Sequence, residues 1–306
     1  MRWSWKRSPD ATRMGLATTI PPFAGLQPHA DGRPWVMGIL NVTPDSFSDG
    51  GLYLDPGRAI EAGLQLRDEG ADVVDVGGES TRPGALSLSV GEETARVVPV
   101  IQRLADAGIV VSVDSRRAAV MQAALDAGAR LVNDVSALCD DPAALPLIAT
   151  RACPVILMHR SGTADTGYVP PEGDVVTAAK MFLAVRIAAC LAAGIAREAI
   201  AVDPGLGFVG GAPETNLALI AGIPDVAAFG YPVVIGASRK RFVGAIVGES
   251  EPARRLGGSL ALALAAADRG AAILRVHDVR DTVQALKAQA ALRSYQLPQG
   301  SDGHGL

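Results

Sequence analysis

Short apolar runs rich in β-branched residues recur along the chain at 35–40 (WVMGIL), 72–77 (DVVDVG), 109–114 (IVVSVD), 130–134 (RLVND), 154–159 (PVILMH), 199–203 (AIAVD), 231–236 (YPVVIG) and 271–276 (AAILRV). Each is too short for a buried helix and reads as a strand. Helical spacing of apolar positions falls between and after them, at roughly 56–69, 91–107, 116–127, 141–151, 174–193, 213–222, 252–268 and 278–293. Strands that are apolar nearly throughout and alternate with helices predict a parallel sheet covered on its outer face. Eight such repeats, with no linker and no change of composition, predict an α/β fold of one domain, a (β/α)₈ barrel over residues 31–295. Residues 1–30 read as a partly ordered extension in which Trp3 and Trp5 pack on the barrel. Residues 296–306 read as a flexible tail.

A barrel of this kind places chemistry at the C-terminal ends of its strands. The polar residues of this chain sit there: Asn41, the Gly77–Pro83 loop, Asp114, Asn133-Asp134, His159, Asp203, Ser238-Arg239-Lys240, and Arg275 with His277. The N-terminal strand ends offer little but Gly, Ala and Pro. Two loops, 41–55 and 77–90, are long and rich in Gly, Ser and Asp, as functional loops are.

Two ligand chemistries are predicted together. Asp114, Asn133 and Asp203 end the third, fourth and sixth strands and suit a flat heterocycle with several N–H donors, since carboxylates accept charge-assisted hydrogen bonds. The alternative is that these acids cap the helices that follow, as Asp114 could do for Ser115-Arg116-Arg117. The second set is cationic: Arg82, Arg239, Lys240, Arg275 and His277. Cations in the loops after strands seven and eight suit a phosphate or pyrophosphate. Asn41 and Thr81 are candidates for a Mg²⁺ ligand and a hydroxyl donor. His159 and His277 lack the spacing of a metal pair.

Composition narrows the classes. With 49% aliphatic, aromatic or Cys residues the chain can bury a large core, and a net charge of −4 argues against a broad nucleic-acid surface. The three cysteines, Cys139, Cys153 and Cys190, include no C-x-x-C and read as reduced thiols of a cytoplasmic protein. No apolar run is expected to span a membrane, and no apolar stretch follows Arg2, Lys6 and Arg7 as a secretory leader requires.

The motifs MGILNVTPDSFSDGG (37–51), DVVDVGGESTRPGA (72–85), VSVDS (111–115), NDV (133–135), LMH (157–159), DPGLGF (203–208), GASRKRFVG (236–244) and RVHDV (275–279) resemble, in order, those of the dihydropteroate synthase family of folate biosynthesis. The resemblance implies a pterin-binding barrel that joins 6-hydroxymethyl-7,8-dihydropterin pyrophosphate to 4-aminobenzoate. It implies that Asp114, Asn133, Asp203 and Lys240 hold the pterin, with Met158 and Phe208 lining the pocket. Asn41 would ligate Mg²⁺, and Thr81, Arg82, Arg275 and His277 would meet the pyrophosphate. Phe47, Pro83, Ser238 and Lys240 would shape the aminobenzoate site, where sulfonamides compete in this family, and Asp45 would help order the first loop. Lys240, Asp203 and Asp45 are the expected catalytic residues, and a homodimer is expected.

The chain departs from the family pattern at Ala237, at Ser115-Arg116-Arg117 and at Arg160-Ser161. A related class, the corrinoid-dependent methyltransferases, would keep the acidic pterin readers without needing STRPG, SRK and RVH. A non-catalytic pterin-binding paralogue is the third reading.

Overall fold

The computed structural model describes residues 23–43, 56–79, 88–163, 167–169 and 171–295. Eight parallel strands form the wall: β1 (Trp35–Asn41), β2 (Val73–Gly77), β3 (Val111–Asp114), β4 (Leu131–Asp134), β5 (Val155–Met158), β6 (Ile200–Asp203), β7 (Val234–Ile235) and β8 (Ile273–Val276). They run in chain order around the sheet, with β8 returning to β1 and pairing with β7. A parallel bridge between Val202 and Val233 joins β6 to β7. There Val202 N–H donates to Pro232 O over 2.9 Å and closes the barrel. All eight predicted strands are present.

The helices cover the outside: α1 (Pro56–Asp68), α2 (Val90–Asp106), α3 (Ala118–Asp126), α4 (Ala144–Arg151), α5 (Val175–Ala192), α6 (Pro213–Ala221), α7 (Ile223–Ala227), α8 (Arg241–Val247), α9 (Leu256–Asp268) and α10 (Val279–Ser294). α2 starts at a capping box, where Ser89 and Glu92 satisfy each other's backbone N–H. Three details differ from the pattern reading. α7 and α8 are additional, each shorter than two turns. A small antiparallel ribbon, Gly162–Thr163 with Gly167–Tyr168, follows β5. The stretch expected as one helix over 252–268 opens with a 3₁₀ turn at Pro252–Arg254 before α9 begins.

The expectation that no apolar run is long enough to cross a membrane is corrected by α5, whose 18 residues have a mean hydropathy of 1.9. One face of it has a protein partner: Val175, Ala179, Leu183 and Ile187, spaced four apart, are buried on the side facing the barrel.

Two cores follow from strand alternation. One fills the shell between strands and helices. The other fills the barrel's lower interior with Trp35, Met37, Val73, Leu131, Ile156, Ala201, Val234 and Ile273. Phe23 and Leu26, from the stretch read as an extension, plug that lower end. Above this apolar floor the inward positions turn polar, and the site is built there.

Candidate active site

Register brings the polar residues together. Gly77 pairs with Asp114, Asp114 with Asn133, and Met158 with Asp203, all at strand C-terminal ends. Residues two apart on a strand share a face, so Asp75 and Gly77 on β2 and Ser112 and Asp114 on β3 face the barrel interior in layers. The missing side chain of Gly77 leaves the mouth open there: a Cβ would lie 3.6 Å from Asp114 Oδ2 and 3.7 Å from Asn41 Oδ1.

Arg275, on β8, is the hub. Its Nε donates to Asp75 Oδ2 over 2.6 Å and its Nη2 to Asp114 Oδ2 over 2.6 Å. Burial works against the guanidinium charge, but Asp75 and Asp114 outweigh it and hold Arg275 more firmly protonated than usual. Burial pushes the Asp114 carboxyl up, with Asp75 adding repulsion against the pull of Arg275. Asn133 Nδ2 donates to the same Asp75 oxygen over 3.0 Å.

The opposite wall carries Asp203 and Lys240. Asp203 Oδ1 accepts Gly205 N–H over 2.7 Å, tightening the DPG turn. Burial raises the Asp203 carboxyl against the attraction of Lys240. Burial likewise lowers Lys240 to about 8, opposed by Asp203. The Lys240 ammonium donates to Leu206 O and lies 4.6 Å from the centre of the Phe208 ring. Tyr168, from the ribbon, meets Phe208 edge-on at 5.0 Å. Asn216, fully buried, fixes this loop by accepting Gly207 N–H over 2.6 Å and donating to the Gly210 and Ala212 carbonyls.

The loop after β7 is held from behind. Arg239 takes a left-handed φ of 59°, its N–H on Ser259 Oγ and its guanidinium on Asp278. That pairing turns Arg239 away from the cationic set in which it was expected. Arg255, only 7% exposed, donates to the carbonyls of Arg239, Lys240, Glu249 and Ser250 and so clamps the turn that presents Lys240. Ser238 and His277 bond each other, Oγ to Nδ1 at 3.1 Å. His159 is buried, its Nδ1 3.2 Å from Pro204 O, and burial lowers its pKa.

The capping alternative for Asp114 does not hold. The first helical N–H of α3, at Ala118, is met by Asp141 Oδ2 over 2.8 Å, while Asp114 serves Arg275. The departures at 116, 117 and 160 form one ion-pair chain around the rim. Arg116 and Arg117 both meet Glu79, Arg117 also meets Glu93, and Asp140 meets Arg116 and Arg160.

The structure therefore gathers Asn41, Asp114, Asn133, Met158, Asp203, Phe208, Ser238, Lys240, Arg275 and His277 at one mouth. Asp45, Phe47, Thr81, Arg82 and Pro83 lie outside the described residues. Pattern reading missed Asp75, Asn216 and Arg255. A charged residue inside the otherwise apolar run Val73–Val76 was the available signal for Asp75. The other two declare themselves only through three-dimensional contacts.

Residues 37–277 match the family described as pterin binding enzyme. The chain belongs to the pterin-binding enzymes. Among similar members, the dihydropteroate synthase of Neisseria meningitidis serogroup B is 46% identical over 266 residues, covering 85% of this chain and 93% of that protein. That of Mycobacterium leprae is 45% identical, covering 84% and 92%. A solved Xanthomonas albilineans dihydropteroate synthase with 4-aminobenzoic acid matches with a TM-score of 0.82 and 47% identity, covering 86% of this chain and 94% of that one. The same organism's enzyme in complex with 7,8-dihydropteroate matches with a TM-score of 0.79 and 43% identity, covering 88% and 97%.

Proposed function

We propose that the chain is a dihydropteroate synthase, a transferase that joins 6-hydroxymethyl-7,8-dihydropterin pyrophosphate to 4-aminobenzoate and releases pyrophosphate. The observation that carries this reading is the pairing, at one barrel mouth, of a buried acceptor wall with Lys240 and Arg275. Asp114 and Asp203 accept the N–H donors of the pterin. Asn133 contributes Oδ1, because its Nδ2 is committed to Asp75. Lys240 donates to the ring's acceptors, and Met158 and Phe208 cover its faces. Arg275 and His277, with Thr81 and Arg82, receive the pyrophosphate. Ser238 and Lys240, with Phe47 and Pro83, border the aminobenzoate. Asp45 helps order the first loop.

The bond from the methylene to the pyrophosphate oxygen breaks ahead of attack by the neutral aromatic amine. The electron-rich pterin carries the cationic character in between. The protein supplies orientation and a fixed field rather than a covalent partner.

Oxygen donors at the mouth fit Mg²⁺. The Asn41 amide oxygen would hold the ion in this reading, beside oxygens of the substrate. Among the described residues no three His, Cys, Asp or Glu cluster as a dedicated metal cage. Held there, Mg²⁺ would supply positive charge toward the pyrophosphate oxygens.

A homodimer is part of the reading. Met181 and Val185 on α5, Leu217 on α6, and Ile246 and Val247 on α8 are large, apolar and exposed on helices that pack side by side. α9 keeps Leu260, Leu262 and Leu264 half-buried. A single domain spanning 31–295 and a cytoplasmic location complete the reading. Three free cysteines, two of them buried, support the latter.

The test is a reaction of purified chain, Mg²⁺, dihydropterin pyrophosphate and 4-aminobenzoate. Dihydropteroate and pyrophosphate should form in equal amounts; tight pterin binding without turnover would favour a non-catalytic paralogue.

A further inference from the structure

Asp75 lies mid-strand on β2, fully buried, one layer below the mouth. One of its oxygens, Oδ2, takes both Arg275 Nε at 2.6 Å and Asn133 Nδ2 at 3.0 Å. The other, Oδ1, is buried and has no partner among the described residues, and neither has Ser112 Oγ, its register neighbour on β3. A buried carboxylate kept for stability alone would have both oxygens satisfied. One with half its capacity unused costs desolvation, and apolar replacement of such groups is often neutral or stabilising.

The charge count shows what it does. Asp75 and Asp114 both bond Arg275, so two carboxyl groups already oppose its one guanidinium. Two nitrogens of Arg275 are committed to carboxylates, which leaves its remaining terminal nitrogen to meet an anion. The field at the guanidinium is thus discounted before any phosphate arrives, in a desolvated site where charge acts strongly.

We infer that Asp75 is a positioning residue that orients Arg275 and Asn133 for the pterin while holding down the site's affinity for the pyrophosphate product, so that the product leaves. The inference rests on the synthase reading and extends it. Asp75 touches neither reacting atom; it acts through Arg275 and Asn133. Its charge makes two effects run in opposite directions. Neutralising it loosens Asn133 and weakens pterin binding, and it also frees the Arg275 field and strengthens anion binding.

The experiment compares wild type with Asp75→Asn at fixed Mg²⁺. It reads the dissociation constant of 6-hydroxymethyl-7,8-dihydropterin, which lacks the pyrophosphate, KM for dihydropterin pyrophosphate and for 4-aminobenzoate, the inhibition constant of inorganic pyrophosphate, and Tm. In the variant the dissociation constant of the pyrophosphate-free pterin should rise on the order of tenfold and the pyrophosphate inhibition constant should fall on the order of tenfold, as for one charged hydrogen-bond partner. The KM for dihydropterin pyrophosphate, which contains both groups, should move less than either. The aminobenzoate KM and the Tm should stay near wild type. Weakening of both ligands together, or no change in either, overturns the inference. Asp75→Ser, which leaves room for a water against Arg275 Nε, carries the same expectation and is the variant to use if Asp75→Asn does not fold. Absence of turnover in wild type would instead overturn the synthase reading.

Discussion

Replacing Lys240 by methionine keeps the length and apolar stem of the side chain and removes its charge. Three interactions go with it. The Leu206 carbonyl loses its donor, the Phe208 ring loses a cation 4.6 Å from its centre, and Asp203 loses the positive charge that opposes its desolvation. A charged hydrogen bond contributes about 1.5–3 kcal/mol. A partly desolvated cation–π contact contributes about 0.5–2 kcal/mol. These terms share one ammonium and do not add in full; in the loaded site the same ammonium donates to the ring's acceptors, so transition-state binding should weaken by about 2–4 kcal/mol. At about 1.4 kcal/mol per factor of ten, kcat/KM should fall roughly thirtyfold to a thousandfold. The assay follows pyrophosphate release and dihydropteroate together, with each substrate varied in turn. The larger loss should appear on the pterin side, because Lys240 and Asp203 sit on the same wall. A variant within threefold of wild type in kcat/KM would refute the assignment of Lys240 and the field argument behind it.

Other expectations follow from the same geometry. Burial lowers Lys240 from 10.5 to about 8, so kcat/KM should fall as pH rises through about 8, and Lys240→Arg should remove that limb from the profile. The stability effect has the opposite sense: between about 8 and 10.5 the unfolded chain binds more protons at this residue than the folded one. This residue's contribution to denaturant stability should therefore rise with pH across that window. Asn216→Ala leaves Gly207 N–H and two carbonyls without their partner. It should cost about 1–3 kcal/mol by chemical denaturation and raise the pterin KM, since Phe208 rides on that loop. Gly205→Ala would place a Cβ 1.7 Å from His159 O at a φ of +83°. A loss of at least about 2 kcal/mol is expected, and a wild-type denaturation midpoint would contradict that turn geometry.

The strands were legible because a parallel barrel wall must be apolar on both faces, and runs such as PVILMH have no other stable use. Their C-terminal residues were legible for the same reason: Asp114, Asn133 and Asp203 each interrupt apolarity where a strand meets a loop. α8 was not, because Arg241–Val247 is under two turns and follows a strand-end motif that reads as loop. α5 was legible as a helix, but its hydropathy was underrated, since only one side of it faces the barrel. Asp75 stood in plain view inside a β-branched run, and its two donors come from β4 and β8, 58 and 200 residues away. Arg239 looked like a mouth cation until its partner Asp278, 39 residues on, was placed beside it. One-dimensional pattern reports which face a residue occupies; it does not report which charge it meets.

The most direct test of the account is a crystal structure of this chain soaked with 7,8-dihydropteroate. The pterin ring should lie among Asp114, Asn133, Asp203 and Lys240, with Phe208 against it and the benzoate running past Ser238. A ring seated elsewhere on the barrel, or one that leaves Asp203 and Lys240 paired only with each other, would contradict the account.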